Sequence, residues 1–350
     1  MAFFNVNNVA IKGLSGAVPK NVVSNKDYSL LSEKERKLLI KTTGIEERRL
    51  ATSGITTSDL GFSAAESLLR DLKWSSDEID VLIFVSQSPD YYLPATAIIL
   101  QNRLGISKDA MAFDIGLGCS GYVYGLSVIA NLLSSGQMKK GLLIVGDVSS
   151  ATCAYTDKST YPLFGDAACV TALQFDENAD EMTFSLHSDG KGEDAIKIHD
   201  GGIRNLVNED SLKTKKISEG IERAPLNLAL DGMAVFDFSI GVIPGAINDF
   251  MTKTNTNPDS YDHFVMHQAN KIMNETIRRK TGFSKEQTPY SLADFGNTSS
   301  ASIPLTLITK TDDSLSDNRS ILLAGFGVGL SWGMAKISTK NIVVSKLNEL

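Results

Sequence analysis

Ala112-Phe-Asp-Ile-Gly-Leu-Gly-Cys119-Ser-Gly-Tyr-Val-Tyr-Gly-Leu126-Ser-Val-Ile129 and Ala293-Asp-Phe-Gly-Asn297-Thr-Ser-Ser-Ala-Ser-Ile-Pro-Leu-Thr-Leu-Ile308 are two versions of one pattern. In each, an apolar approach meets a glycine-containing turn and runs on into an apolar helix. Before the first copy, the buried-strand run Asp80–Val85 ends in Ser86-Gln87; before the second, His263–Met266 ends in His267-Gln268. After the first comes the apolar strand Gly141–Val145, and after the second Ile321–Ala324. Cys119 and Gly146 are 27 residues apart and Asn297 and Gly325 are 28 apart; Ser86 to Cys119 is 33 and His267 to Asn297 is 30. Four elements in one order at matched spacing read as an internal repeat. The expected halves are residues 1–175 and 176–350.

Outward from these segments, strand and helix alternate, which predicts an α/β sheet architecture. Helices are expected over Ser58–Leu72, with Ser58 as the N-cap, over Ala95–Leu104, Tyr122–Ser134 and Lys271–Thr281; strands over Ala112–Ile115 and Ala168–Leu173. The opening, residues 9–25, reads as a strand, a turn and a return. Residues 176–227, polar and rich in glycine and charge, read as the start of the second half with surface insertions.

The 350 residues carry 34 basic and 41 acidic side chains, a net charge of −7. That balance disfavours broad binding to nucleic acid or anionic membrane, because it offers no phosphate-neutralising excess. Three cysteines, Cys119, Cys153 and Cys169, without a Cys-x-x-Cys pair, argue for a reducing compartment and against a disulfide framework or a metal site. The N-terminal residues show no secretory signal pattern, and no apolar stretch of membrane-spanning length is expected. A cytoplasmic enzyme is the resulting expectation.

Cys119 lies between glycines where a strand turns into a helix. The helix N-terminus stabilises a thiolate through its dipole and free N–H groups, and a thioester is a natural acyl carrier. The segment alone reads equally as a buried structural cysteine; Cys153 and Cys169 lack the setting and read as packing. His267 follows an apolar strand, where α/β sheets place reactive groups, although a lone histidine there also fits a structural role. Asn297 by itself is a turn and cap residue. Its weight comes from the repeat, which gives it the place Cys119 holds in the first half. The glycine-spaced turn Ala324-Gly-Phe-Gly-Val328-Gly-Leu-Ser-Trp-Gly333 is positioned to bring the Val328 N–H to the Cys119 carbonyl site, where it and the Cys119 N–H would form an oxyanion hole.

Taken together, GLGCSGYVYGL, HQAN, FGNTSSASIP and GFGVGLSWG, with Thr43-Gly44-Ile45, Glu47-Arg48-Arg49 and Phe164-Gly-Asp166-Ala, resemble the 3-oxoacyl-[acyl-carrier-protein] synthase III family of the thiolase-like superfamily over essentially the whole chain. The resemblance implies a five-layered αβαβα fold, a homodimer, and a ping-pong condensation without cofactor or metal. An acyl thioester would load Cys119, malonyl-acyl carrier protein would lose carbon dioxide, and His267 and Asn297 would donate hydrogen bonds to the enolate.

Several positions depart from the family pattern. The Trp and Arg that sandwich the adenine of coenzyme A are Leu38 and Lys158 here, which removes stacking on an indole. An Arg before Thr43 is Thr42, an Asn lining the pantetheine tunnel is Met233, and the basic residue after HQAN is Ile272. Asn270, in the HQAN segment, completes the expected substrate contacts. Lys271, Arg278 and Arg279 keep the following helix basic for carrier-protein docking. Leu93 stands where a Phe usually caps the partner subunit's acyl pocket and would admit a different primer. These departures favour a carrier-bound or unusual acyl donor over acetyl-coenzyme A.

Other readings of these residues are an acyltransferase making an ester or amide without decarboxylation, a hydroxymethylglutaryl-CoA synthase-like enzyme, a Cys-His-Asn thiol hydrolase and an inactive partner subunit. The second needs a carboxylate near Ser86–Pro89, where Asp90 is displaced; the third needs a different fold.

Overall fold

The computed structural model describes residues 2–311, 315 and 317–350. Its two large sheets share a strand logic. In the first, Val81–Val85 pairs in parallel with Lys140–Asp147, which pairs antiparallel with Ala167–Phe175, which pairs antiparallel with Val9–Val18. In the second, His263–Met266 pairs in parallel with Arg319–Gly327, then antiparallel with Ser331–Thr339, then antiparallel with Met182–Ser188. The matching order and polarity are the structural form of the sequence repeat.

Alternation along the strands assigns the layers, since successive side chains point to opposite faces. Val81, Ile83 and Val85 of the first sheet, and Val265, Ile321 and Leu323 of the second, share one core with the helices Gly121–Leu133 and Ser302–Lys310. Leu82 and Phe84 face outward onto the helices Thr57–Leu72 and Thr96–Arg103. Phe264, Met266 and Leu322 face outward onto Ile243–Lys253 and Lys271–Thr281. The result is five layers, helix–sheet–helix–sheet–helix, with both sheets buried on two faces, which explains why their strands are apolar runs and not alternating ones.

Chain ends cross between the sheets. Ala2–Val6, a strand the sequence reading did not anticipate, joins the second sheet against Met182–Ser188, while Val343–Val344 and Asn348–Glu349 join the first beside Val9–Val18. The expected return in the opening is not a hairpin: Val22–Ser24 pairs with Glu47–Arg49 instead. Residues 176–227 contain Met182–Ser188 and the ribbon Lys215–Ser218 with Ile221–Arg223, and their Ile196–Lys197 pairs with Ala229–Leu230 just beyond.

Two local expectations are corrected. The first long helix is capped by Thr56, not Ser58. Thr56 and Asp59 form a reciprocal capping box, whereas Ser58 lies inside the first turn and donates to Asp90 at 2.7 Å. The repeat is also uneven. The approach to Cys119 is the strand Met111–Ile115, but the approach to Asn297 is the short helix Leu292–Phe295. Leu292 and Phe295, three residues apart, bury one helical face, and the ladder position is taken by Phe164, which bridges Asn297.

A near-continuous helical run, Gly232–Lys253, has mean hydropathy 1.2 over its most apolar window. By length and composition alone it could cross a membrane. Its residues Phe238, Ile243, Ile247 and Phe250 are packed into the outer core of the second sheet.

Candidate active site

Cys119 directly follows the turn after Met111–Ile115, and Ser120 begins the helix Gly121–Leu133. Ser120 has no capping hydrogen bond of its own to the helix; its hydroxyl pairs with Ser331 at 2.7 Å. The helix N-terminus is thus open toward the seam between the halves. His267 ends the strand His263–Met266: its N–H donates to Ala324 O at 2.8 Å and its carbonyl accepts from Asn274 at 3.0 Å. Asn297 is clamped by its N–H to Leu163 O (2.9 Å) and by Gly165 N–H to its carbonyl (3.0 Å). All three side chains are buried, and all three line one cavity of about 260 Å³. Val328 and Asn270 line it too.

The electrostatics follow from that burial. Desolvation pushes the Cys119 thiol up to about 11, while the Val328 N–H, the Ser299 hydroxyl and its own N–H favour the thiolate and Asp147 opposes it. Val328 and Cys119 thus present two backbone N–H groups beside the sulfur. Desolvation holds His267 down at about 3, with the Ser299 carbonyl pulling the other way, so the imidazole is neutral across the physiological range. Its Nδ1 faces the Ser302 hydroxyl at 2.8 Å, and its ring stands edge-on to Phe326 at 5.6 Å. The turn glycines permit this crowding. A Cβ at Gly327 would lie 2.6 Å from Cys119 Cβ, and one at Gly118 would lie 2.2 Å from Gln87 Oε1.

The remaining expected contacts lie apart from this cavity. Leu38, Met233 and Leu93 are exposed (60, 75 and 86 %) and do not line it. Lys158 lies along Gly220, where a Cβ would sit 2.8 Å from its side chain. Asn270 caps the helix Lys271–Thr281 by accepting from Met273 N–H at 2.9 Å. The docking assignment of Arg278 is corrected. Its guanidinium is buried, forks onto Glu275 at 3.0 and 2.9 Å and donates to Phe283 O at 2.7 Å. Lys271 and Arg279 of the same helix are exposed.

Sequence reasoning missed Asp147, Ser299 and Ser302. Asp147 closes an otherwise apolar buried strand, Lys140–Asp147, and a lone carboxylate at the end of such a run was the signal that could have found it. Ser299 has φ +50°, which nothing in its residue type announces.

A cysteine at a helix start, a neutral histidine and a carboxamide meeting in one cavity at the seam of the two sheets define a thiolase-like acyl-transferring site. Family models agree: 3-oxoacyl-[acyl-carrier-protein (ACP)] synthase III matches residues 113–190, and its C-terminal counterpart matches residues 251–338. The chain is 34% identical over 329 residues to beta-ketoacyl-[acyl-carrier-protein] synthase III 2 of Halalkalibacterium halodurans, covering 93% of this chain and 95% of the relative. It is 33% identical to the synthase III of Streptococcus mutans, covering 90% and 94%. The crystal structure of a 3-oxoacyl-(acyl-carrier protein) synthase from Burkholderia xenovorans superposes with a TM-score of 0.93 at 34% identity, over 99% of both chains. The chain belongs to the 3-oxoacyl-[acyl-carrier-protein] synthase III family.

Proposed function

We propose that the chain catalyses the decarboxylating condensation of an acyl thioester with malonyl-acyl carrier protein, giving a 3-oxoacyl thioester in fatty acid synthesis. The observation that carries this is the convergence of the buried side chains of Cys119, His267 and Asn297 on one cavity. In the first half-reaction the Cys119 sulfur attacks the acyl carbonyl. The oxyanion takes the Val328 and Cys119 N–H groups, and the donor thiol departs. In the second, the malonyl carboxylate leaves as carbon dioxide, and the thioester oxygen of the resulting enolate is held by His267 and Asn297. The enolate carbon attacks the acyl-Cys119 carbonyl, the C–S bond breaks, and the thiolate is reprotonated. Neutral donors suit this task, because they stabilise developing negative charge without being consumed.

The acyl donor is better read as carrier-bound or unusual than as acetyl-coenzyme A. Leu38 provides no ring for adenine stacking, and exposed Leu38, Met233 and Ile272 are apolar. Lys271 and Arg279 are the residues proposed to meet the acidic carrier. A cytoplasmic homodimer belongs to the same reading, supported by the exposed run Tyr91-Tyr92-Leu93, which a partner subunit would cover. The halves 1–175 and 176–350 are proposed as products of duplication, which the shared strand order supports.

Mixing the protein with a series of acyl thioesters and recording intact mass, then adding labelled malonyl-acyl carrier protein, tests the reading. Acyl adducts on Cys119 followed by carbon dioxide release and a condensed product are expected. Loading without carbon dioxide release would point to ester or amide formation, and neither event would indicate an inactive subunit.

A further inference from the structure

Gln87 follows the strand Val81–Val85 by two residues and lines the cavity that holds Cys119, His267 and Asn297. Its backbone is fixed. The buried Asp147 carboxylate accepts the Gln87 N–H at 2.7 Å and the Ser86 hydroxyl at 3.0 Å, and the Ser88 N–H donates to Ser86 Oγ at 2.9 Å. The Gln87 side chain is exposed, and among the described residues its carboxamide makes no hydrogen bond. It lies against Gly118, where an added Cβ would collide with Gln87 Oε1 and sit 3.0 Å from its Cδ. Gly118 does not take a positive φ, so its backbone does not demand glycine. What the missing side chain admits is the carboxamide. Consecutive Cα atoms are ~3.8 Å apart, so the carboxamide stands within about 8 Å of the Cys119 Cα, the reach of a short acyl group on its sulfur. Much of the remaining wall is apolar, through Leu163, Phe164, Leu228, Leu230 and Val235. An open carboxamide beside the nucleophile therefore distinguishes one acyl group from another.

We propose that Gln87 is a specificity-determining residue that selects an acyl thioester bearing a hydroxyl group on carbon 2 or 3, by hydrogen-bonding that hydroxyl while the acyl group sits on Cys119. An exposed carboxamide is hydrated, and an acyl chain seated against it displaces that hydration. A group that cannot reproduce the lost hydrogen bonds binds less well, and an alkyl chain cannot. A hydroxyl both donates and accepts, so it serves whichever end of the amide faces the cavity. A site that hydrogen-bonds a substrate hydroxyl rejects the analogue lacking it more strongly than an apolar pocket rejects an added methylene. The Asp147 anchor keeps the carboxamide in place for this task, because it fixes the backbone on which the side chain stands.

This inference rests on the loading reaction proposed above, and the test separates the two. Acyl-enzyme formation is timed by intact mass with butyryl, 2-hydroxybutyryl and 3-hydroxybutyryl thioesters of acyl carrier protein, for wild type, Gln87→Leu and Gly118→Ala. The wild type is expected to load the better hydroxybutyryl group at least tenfold faster than butyryl. Q87L keeps the bulk of the side chain but not its amide, and its ratio of the two rates is expected to fall to within twofold of one. G118A is expected to lose the preference as well, because its methyl displaces the carboxamide without removing it. The ratio is the readout, since a general disturbance of the site slows all three donors together. Should Q87L load none of them, the wild-type preference and its loss in G118A decide. A wild type that loads butyryl and both hydroxybutyryl groups at rates within twofold, or a Q87L variant that keeps the wild-type ratio, would overturn the role of Gln87 and leave the loading reaction standing. A wild type that loads no acyl thioester of any kind would instead overturn the proposed function.

Discussion

The Oδ1 atom of Asn297 accepts the backbone N–H of Ser299, two residues on, at 2.9 Å. The carbonyl end of the carboxamide is therefore fixed to its own turn, and the amide NH₂ is the end available to a ligand in the cavity. Asn297→Ala removes that donor; carbon dioxide release from malonyl-acyl carrier protein should fall by ~10²–10³, the usual loss for one preorganised donor to a developing oxyanion. Asn297→Asp should fall further at neutral pH, since a carboxylate would face the enolate. Acyl loading of Cys119, measured separately, should suffer much less in N297A. Equal losses in both half-reactions would show that Asn297 holds the site together and does not serve the enolate.

Neutral His267 leaves a signature in stability. The unfolded chain takes up a proton at this residue near 6.5, but the native state resists until about 3. The unfolded state thus binds more protons between those values, so native stability falls as pH drops through that window. The contribution is on the order of 5 kcal/mol at full depth, at roughly 1.4 kcal/mol for each tenfold change in proton affinity. Asp147, raised by burial, works in the opposite direction, and His187 and His263 in the same one, so the difference between proteins is the useful quantity. Denaturant unfolding of H267Q should lose less stability than wild type between pH 6.5 and the acid limit. Parallel curves would mean that the imidazole is protonated in the native state.

Much of this site was legible because its signals are local. Cys119 between glycines, His267 at a strand end and the Asn297 turn each stand beside an apolar run whose burial the composition of the run already states. The repeat then brought them together, since equivalent turns in duplicated sheets must face one another. The strand Ala2–Val6 was not legible, because its partner Met182–Ser188 is nearly 180 residues away and its place is set by tertiary pairing. Arg278 misled for a related reason. Lys271, Arg278, Arg279 and Lys280 look alike as a basic face, but only the fold shows which of them turns inward to Glu275.

That distinction gives a paired experiment. Arg278 makes a two-pronged ion pair with Glu275, both largely buried, and also satisfies the Phe283 carbonyl. Arg278→Ala leaves the partly buried Glu275 carboxylate with only Tyr290 and the more distant Arg279 and should destabilise by about 1–3 kcal/mol, visible as a lowered Tm. Arg279 is 3.7 Å from Glu275 with an exposed side chain, and such a pair is worth at most about 1 kcal/mol. Arg279→Ala and Lys271→Ala should leave Tm nearly unchanged and raise KM for malonyl-acyl carrier protein, more so at low salt, where surface charge is least screened. If R279A and K271A do not alter that KM, the carrier docks elsewhere.

A tight steric constraint on the nucleophile itself lies between Gly327 and Cys119. A methyl group at 327 would meet the Cys119 Cβ at 2.6 Å and its sulfur at 2.9 Å, distances that demand movement of one backbone or the other. The glycine ends the strand Arg319–Gly327 and immediately precedes Val328, so the same displacement would also shift the Val328 N–H away from the sulfur. Overpacking of this kind costs about 1–3 kcal/mol in stability, modest for a chain of this size. The catalytic cost is larger, because misplacing reacting atoms by about 1 Å can cost ~10²-fold. Gly327→Ala should therefore fold, with circular dichroism and a Tm only a few degrees lower, yet load acyl groups onto Cys119 at least a hundredfold more slowly. Gly190→Ala, where an added Cβ meets nothing within 4 Å, is the control expected to load normally. Normal loading by G327A would mean that the turn carrying Val328 yields freely and does not preset the oxyanion site.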